Sequence, residues 1–513
     1  MRPLLARAVV GLVAGCALAA CTMGPDFQPP NPPKAQSFLP DQPPEFVAGG
    51  INGGEAQRIV DGLDIPGQWW QVFQSPQLNG LIETALRANP DIQAASAGMR
   101  VAQEAARAQR ATLFPTVSAG FGASANQVPT VLSAPTADNN YSYSLYTLGL
   151  TLSYNLDLWG ANRRQIESLD ALAEAQCFQL EGAYLSLASN VVAAAILEAS
   201  LRAQTEATGR IIAAQRDTLD ILNRQLGLGA VNGSDVAAQQ AALAQVEATL
   251  PPLQKALAQQ RNLLATLTGR LPDQSLAEQF KLADLKLPED LPLSLPSKLV
   301  EQRPDVRAAE ANLHSSSALV GVATANQFPN VTLNASIGTQ ALTLGALFGP
   351  TLASSVVGVN VLQTILDGGA LAARKRQAQA ALEQADAQYR STVLQAFRNV
   401  ADTLRALEFD ALTLKAAVAA EQATATSLQI ARRRLDLGDA TYIFVLTAEL
   451  AYQQAALLRV QAQAARYTDT AALFQALGGG WWNRDARDPA ARLRCRPPAP
   501  APAGKLTPVA AAH

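Results

Sequence analysis

The chain has 513 residues, and its 40 basic and 42 acidic side chains give a formal net charge of -2. This balance offers no basic surface for nucleic acid, which is therefore not an expected partner. Only 5% of the residues are aromatic although 49% are hydrophobic, so the apolar share consists mainly of aliphatic side chains, many of them small enough to let helices approach closely.

Residues 1–20 are predicted to be a targeting segment. Arg2 and Arg7 precede an apolar run, Ala8–Ala20, that is too short for a membrane-spanning helix. The run ends in Leu18-Ala19-Ala20-Cys21, which resembles a bacterial lipoprotein signal. We expect cleavage before Cys21 and attachment of lipid to its sulfur; the alternative is an ordinary signal peptide followed by an incidental cysteine.

Two cysteines remain after this processing, Cys177 and Cys495. A disulfide between them is one option. Because Cys177 lies in a helical run and Cys495 in a proline-rich tail, the sequence favours two free thiols.

The chain contains two copies of one unit of about 210 residues. Pro90 and Pro115 in the first copy, and Pro304 and Pro329 in the second, are separated by the same 25 positions. The predicted domains are a lipoprotein signal peptide (1–20), a proline-rich anchor linker (21–67), a first repeat (68–271), an equatorial connector (272–297), a second repeat (298–480) and a disordered tail (481–513).

Each repeat is predicted to begin with a helix, Asp91–Ala111 in the first and Asp305–Ala325 in the second, with proline at the start. Apolar and polar residues then alternate with period two, which is typical of strands with one apolar and one polar face. The four predicted strands are residues 116–124, 147–156, 331–338 and 355–362.

A very long helix is predicted to follow each pair of strands. Ala161–Leu228 and Ala370–Leu437 each contain 68 positions without proline, and at about 1.5 Å per residue each spans on the order of 100 Å. Glycine-containing turns at 229–234 and 438–441 should reverse the chain. Shorter return helices are predicted at Asp235–Leu267 and Tyr442–Leu477, and Pro251-Pro252 should kink the first of them.

The predicted strands bear on how the chain crosses a membrane. Beyond residue 20 no run of 18 uninterrupted apolar residues occurs, so any crossing is expected to use strands. A sheet in lipid must close, because open edges leave backbone groups unpaired. Four strands are too few, so the chain must oligomerise; two copies would give eight strands and three would give twelve, and composition does not choose between them.

Five segments of the chain carry a family signature. They are Cys21-Thr22-Met23-Gly24-Pro25-Asp26-Phe27, Trp69-Trp70-Gln71-Val72-Phe73, the stretch from Leu78 to Asp91 ending in Asn89-Pro90-Asp91, Leu156-Asp157-Leu158-Trp159-Gly160 and Gly229-Ala230-Val231-Asn232-Gly233-Ser234-Asp235-Val236. Together they resemble the outer membrane efflux proteins, and in particular the lipid-anchored, NodT-type members of the TolC/OprM group. The resemblance covers roughly residues 21–480.

The resemblance implies a mixed α and β fold, in which a trimeric outer-membrane β-barrel with four strands per chain is continued by a long α-helical periplasmic barrel. It implies the outer-membrane channel of a tripartite efflux pump, which passively conducts substrates across the periplasm and outer membrane. The implied partners are two more copies of the chain, outer membrane lipid, a periplasmic adaptor and an inner-membrane pump, usually of the resistance–nodulation–division type. Thr22 after the lipid-bearing cysteine fits release to the outer membrane.

The two helix reversals are predicted to be the periplasmic tips that contact the adaptor, and the resemblance supports the same assignment. The tip residues are Leu228, Gly229, Ala230 and Val231 in the first reversal and Leu437, Gly438, Asp439 and Ala440 in the second.

The residues that close the periplasmic mouth are not identified by a single motif. Relatives often carry an aspartate in the second return helix that is associated with the closed mouth, and Thr447 occupies that position here. Other charged residues near the turns are candidates to supply a negative mouth and to tether it, and for each of them a solvated helix end is the alternative. They are Asp235, Asp436 and Asp439 for the negative charge, and Arg432, Arg433 and Arg434 for the tether.

No catalytic function is expected. The chain has two histidines, His314 and His513, and no Ser–His–acid set, metal-ligand spacing or phosphate-binding glycine loop, so neither an enzyme activity nor a cofactor or metal is predicted. Energy for transport must then come from a partner. Two alternatives stay open: the channel of a protein secretion system, and a lipid-anchored periplasmic coiled-coil scaffold, which four alternating strands oppose.

Overall fold

The computed structural model describes residues 22–35, 37–41, 53–127, 142–274, 277–349 and 353–484. The predicted lipidation site, Cys21, and the tail beyond Arg484 lie outside these residues. The elements in chain order are β1 (Arg58–Asp61), α1 (Pro76–Ala88), α2 (Pro90–Ala111), β2 (Thr116–Gln127), β3 (Ser142–Leu156), α3 (Ala161–Gly227), α4 (Gly233–Leu267), β4 (Asp290–Leu293), α5 (Pro296–Gln302), α6 (Pro304–Ala325), β5 (Asn330–Ala341), β6 (Ala353–Leu362), α7 (Ala370–Asp436) and α8 (Tyr442–Ala476), with short 3₁₀ helices including Trp69–Phe73 and Trp481–Asn483.

The same order of elements occurs in both halves of the chain. Helices α2 and α6 have 22 residues each, α3 and α7 have 67 each, and α4 and α8 have 35 each. All the predicted helices and strands are present, with small differences at their ends. Helix α4 continues through Pro251 and Pro252, so the predicted kink does not interrupt the helix.

The chain folds as two compact units. The first comprises residues up to Pro30, Gly98–Gln176 and Ala309–Tyr389, and the second comprises Asn31–Ala97, Cys177–Ala308 and Arg390 onward.

The first unit contains an antiparallel sheet of four strands in the order β2-β3-β5-β6. Strand pairing puts Val117 opposite Leu152 and Leu150 opposite Ile337 on one face, and polar residues such as Thr151 and Ser336 on the other. Several residues of the apolar face, among them Val117, Leu150 and Ile337, are exposed among the described residues. The sheet has β2 and β6 as its edge strands.

The segment after the predicted anchor packs against the first unit. The Arg164 guanidinium, almost fully buried, donates to the carbonyl oxygen of Met23 (3.1 Å) and to the carboxylate of Asp26 (2.6 Å). Phe27 stacks on His314 with 4.4 Å between ring centroids. Part of the predicted extended linker is therefore held in place by side chains from both halves of the chain.

The second unit is built around buried aromatic and charged side chains. Trp69 stacks on Phe474 (5.5 Å), and both rings are buried. The fully buried Arg466 donates to the carbonyl oxygens of Gly53 (2.9 Å) and Glu55 (2.6 Å). Short strands β1 and β4, from the predicted linker and connector, pair in parallel in this unit. Neither was predicted, because four residues are too few to show an alternating pattern.

Cys177 in α3 is disulfide-bonded, so the prediction of a free thiol is wrong for this residue. The other three cysteines, Cys16, Cys21 and Cys495, lie outside the described residues. A position within a helix was a poor reason to exclude a disulfide, since the geometry depends only on whether a second Cβ can approach to about 4 Å.

Among the described residues, one helix, α3, contains a segment that is apolar and long enough to cross a membrane by composition alone. Most of that segment is buried within the chain, as in the core helix of a soluble protein.

Candidate channel mouth and helix tips

The two helix reversals have the same backbone geometry. Gly229 and Gly438, each just beyond the end of a long helix, have φ angles of +72° and +75°. The next residue donates its N–H back to the carbonyl five positions earlier, Ala230 to Gln225 (2.9 Å) and Asp439 to Arg434 (2.8 Å). This pattern ends a helix with a left-handed residue, a conformation that glycine adopts without a Cβ penalty.

The reversals expose leucine side chains. Leu228 is 84% exposed and Leu437 is 77% exposed. Val231, by contrast, is partly buried and packs against a cluster that includes Leu222 and Tyr442. At the predicted tips, Leu228 and Leu437 are therefore exposed, while Val231 packs where the long and return helices meet.

Three of the predicted mouth residues form local contacts at the reversals. Asp439 accepts from the Arg434 guanidinium (2.9 Å), and both side chains are about half exposed or more. Asp235 lies in the first turn of α4 and accepts from the backbone N–H of Asn232 (3.3 Å) in a capping box. Asp436 and Arg433 are exposed at the end of α7.

A buried carboxylate that the sequence did not indicate lies next to the predicted mouth. Arg432 on α7 pairs with Glu449 on α8 (3.4 Å), whose side chain is only 6% exposed. Burial raises the pKa of the Glu449 carboxyl, and the Arg432 charge opposes that rise. Thr447 itself is exposed, and its hydroxyl donates to the carbonyl of Ile443 (2.8 Å) within its own helix.

A chain of hydrogen bonds joins the three helices α8, α4 and α3. The Tyr442 hydroxyl of α8 donates to the Gln239 side chain of α4. The Gln239 amide in turn donates to the carbonyl oxygen of Gln215 on α3 (2.9 Å). Burial raises the pKa of the Tyr442 phenol, so the hydroxyl keeps its proton and its role as donor.

A second titratable cluster lies farther along the same helices. Asp410 on α7 is close enough to Asp469 and Arg466, both on α8, to interact with them electrostatically. Burial, reinforced by Asp469, raises the pKa of Asp410 to about 7, while the Arg466 charge acts in the opposite direction.

No group of three or more His, Cys, Asp or Glu side chains within the described parts of the chain could hold a metal ion.

Comparison with known proteins gives consistent matches along the chain. A family model described as outer membrane efflux protein matches residues 81–270 and 295–479. The pyoverdine export outer membrane protein OpmQ of Pseudomonas putida is 30% identical over 447 residues, which cover 86% of this chain and 94% of OpmQ. The toluene efflux pump outer membrane protein TtgC of Pseudomonas putida is 27% identical over 487 residues, which cover 94% of this chain and 96% of TtgC.

The fold is similar to that of a solved channel. The structure of the outer-membrane channel OprN matches with a TM-score of 0.80 and 28% sequence identity, covering 90% of this chain and 100% of that one.

The acid pair predicts a specific dependence of stability on pH. Because the pKa of Asp410 is higher in the folded state (about 7) than the ordinary value of 3.8, the folded chain binds the proton more tightly. The contribution to stability is therefore complete below pH 3.8 and declines as the pH rises toward 7. Asp410→Asn should remove this decline and stabilise the protein relative to wild type by about 1 kcal/mol more at pH 8 than at pH 5, after a discount for partial exposure.

Denaturant unfolding in detergent at the two pH values measures this difference. Asp402→Asn is the matched control, because Asp402 lies on the same helix with its side chain 73% exposed. An equal pH dependence in wild type and Asp410→Asn would contradict the raised pKa of Asp410.

Proposed function

This chain belongs to the outer membrane efflux protein family, and it is the outer-membrane channel of an efflux pump; from that premise we propose that three copies form one continuous channel. In this proposal the four-stranded sheets close into a twelve-stranded barrel in the outer membrane. The long helices continue the barrel as a tunnel across the periplasm.

One observation carries the proposal: the sheet has exposed residues on its apolar face, and within the described parts of the chain its edge strands β2 and β6 pair with no further strand. Val357 is 76% exposed, Val117 66% and Ile337 57%. Exposed apolar residues of this kind suit contact with hydrocarbon, where every backbone polar group must also find a partner. Both needs are met when the sheet closes with other copies of itself.

The number of copies follows from the need for a lumen. Two copies would give eight strands, and a barrel of that size is filled by its own side chains. Three copies give twelve strands and leave room for a water-filled passage. Since a channel must conduct, the trimer fits the function and the dimer does not.

The barrel proposal predicts opposite behaviour for neighbouring residues of β3. Leu150→Arg should destabilise the inserted protein by about 2–4 kcal/mol if the residue lies near the membrane midplane, because its side chain faces lipid. A cysteine at Thr151, on the polar face, should react with water-soluble maleimide, whereas one at Leu150 should not. Equal labelling at both positions, or a monomer in mild detergent by mass photometry, would contradict the barrel.

We further propose that Cys21 carries lipid and anchors the chain to the outer membrane. The motif Leu18-Ala19-Ala20-Cys21 supports this, as does the packing of Met23 and Asp26 against Arg164, which holds the start of the mature chain beside α3. Cys21→Ser should abolish incorporation of labelled palmitate, whereas Thr22→Ser, at the neighbouring residue, should leave it unchanged. Retention of label in Cys21→Ser would refute the assignment.

The helix reversals are proposed to be the periplasmic tips that meet the adaptor of an inner-membrane pump, with the resistance–nodulation–division type as the expected pump. The exposed Leu228 and Leu437 support this, because large exposed apolar side chains on a helix end suit a protein contact. Behind them, the Arg432–Glu449 ion pair and the Tyr442–Gln239 hydrogen bond fix the return helices and are proposed to hold the mouth closed.

Leucine substitutions test the tips. Leu228→Arg combined with Leu437→Arg should reduce efflux at least tenfold while leaving the amount of assembled protein and its melting temperature unchanged, because both side chains are exposed. Leu271→Arg, at a residue 65% exposed and away from the reversals in sequence, is the matched control and should keep wild-type efflux. Normal efflux by the assembled double variant would refute the tip assignment.

A further inference from the structure

We propose that β6 of one copy pairs with β2 of the next in one defined antiparallel register, which places Gly358 opposite Ser124 of the next copy. The proposal rests on the trimer proposed above and specifies the surface through which its copies join. The partner is a second copy of this chain, and the edge strands and the residues after β6 form the contact.

A strand pairing within the chain serves as the template for the pairing between copies, and we call each such pairing of one repeat with another a joint. Strand β3 of the first half pairs with β5 of the second half, with Gly149 opposite Gly338 and Leu150 opposite Ile337. This pairing joins one repeat to the other. In a closed ring of repeats the same joint must recur between copies, with β6 in the place of β3 and β2 of the next copy in the place of β5.

The correspondence between the repeats is fixed by a shared sequence motif together with strand pairing, because Phe114-Pro115 before β2 and Phe328-Pro329 before β5 are 214 positions apart. The pair Val117–Leu152 between β2 and β3 has its counterpart in the pair Val331–Val361 between β5 and β6. The shift is 214 positions from β2 to β5 and 209 from β3 to β6, and the long helices, which begin at Ala161 and Ala370, are also 209 apart.

Applying these shifts to the internal joint gives the register between copies. Gly149–Gly338 becomes Gly358–Ser124, and Leu150–Ile337 becomes Val359–Ala123. The faces agree, because polar-face residues meet one another and apolar-face residues meet one another. A shift of one residue would exchange the two faces over the whole strand, so the competing registers are those displaced by two.

The exposure of Ile365 agrees with the same register. Ile365, just beyond the end of β6, is 94% exposed in the single chain. Its counterpart in the first half is Leu156, which lies opposite Val331 in the internal joint and is half-buried. The proposed register puts Ile365 opposite Val117 of the next copy and extends the pairing beyond the end of β6. The Ile365 side chain, exposed in the single chain, is then covered in the assembly.

The adjoining helices do not repeat the polar contacts of the internal joint. Inside the chain, the hydroxyls of Ser168 and Ser315 are 2.8 Å apart. The equivalent residues between copies are Gln377 and Val101, and a valine side chain has no group to hydrogen-bond with the glutamine. The neighbouring contact between a carboxylate and a histidine is lost as well, since arginine occupies both equivalent positions. The strands, and not these helix contacts, therefore determine the register between copies.

Paired cysteines test the register. Gly358 is suitable because an added Cβ would meet nothing within 4 Å, and both Gly358 and Ser124 lie on the polar face. In the full chain, Gly358→Cys with Ser124→Cys should give an oxidant-dependent ladder of dimer and trimer on a denaturing gel. Gly358→Cys with Asn126→Cys is the matched control, on the same face but displaced by two residues, where the Cα atoms would lie about 7–8 Å apart, beyond reach of a disulfide.

The expected yield of linked product is at least fivefold higher for the Ser124 pair than for the Asn126 pair. It should be comparable to the extent of disulfide formation in Thr151→Cys with Ser336→Cys, which are directly opposite within the chain. Equal or reversed yields in a protein that mass photometry finds trimeric would overturn the register while leaving the trimer intact. A monomer by mass photometry, with no linked product, would overturn both.

Discussion

The backbone of the four-stranded sheet imposes the constraint on which the rest of the molecule depends. A strand edge in hydrocarbon leaves N–H and C=O groups without partners, and each such group is costly to bury. One chain supplies β2 and β6 as edges. In the barrel proposed above, these edges are paired only when several copies close one sheet, and the repetition of strands and helices in one polypeptide reduces the number of copies required.

The helices have a different requirement. The sheet must pair its edge strands, whereas the helices must pack closely against one another. Each half follows its strands with a helix of 67 residues, and a return helix of 35 residues lies in sequence after each reversal. A helix satisfies its own backbone hydrogen bonds, so its sequence needs only to supply close-packing faces, and the alanine-rich composition does so. Two buried charged groups of these helices have partners: Arg466 donates to the Gly53 and Glu55 carbonyls, and Glu449 pairs with Arg432.

The sequence predicted the strands, the long helices and the reversals because each rests on a local, repeated signal. Period-two alternation identified the strands from Thr116 onward, and the absence of proline identified α3 and α7. The contacts that depend on distant residues were missed. Glu449 was overlooked because nothing local marks its pairing with Arg432, and the bonding of Cys177 was wrongly predicted because helix position says nothing about which side chain approaches from elsewhere.

The binding site for residues 22–27 is built from both halves of the chain. Arg164 belongs to the first half of the chain, whereas His314, on which Phe27 stacks, and Gly321, whose backbone lies against Gly24, belong to the second. Neither half alone supplies the whole site. Residues 22–27 precede both halves in the chain but can dock only after the two halves have packed together, so their docking reports that the two repeats have come together.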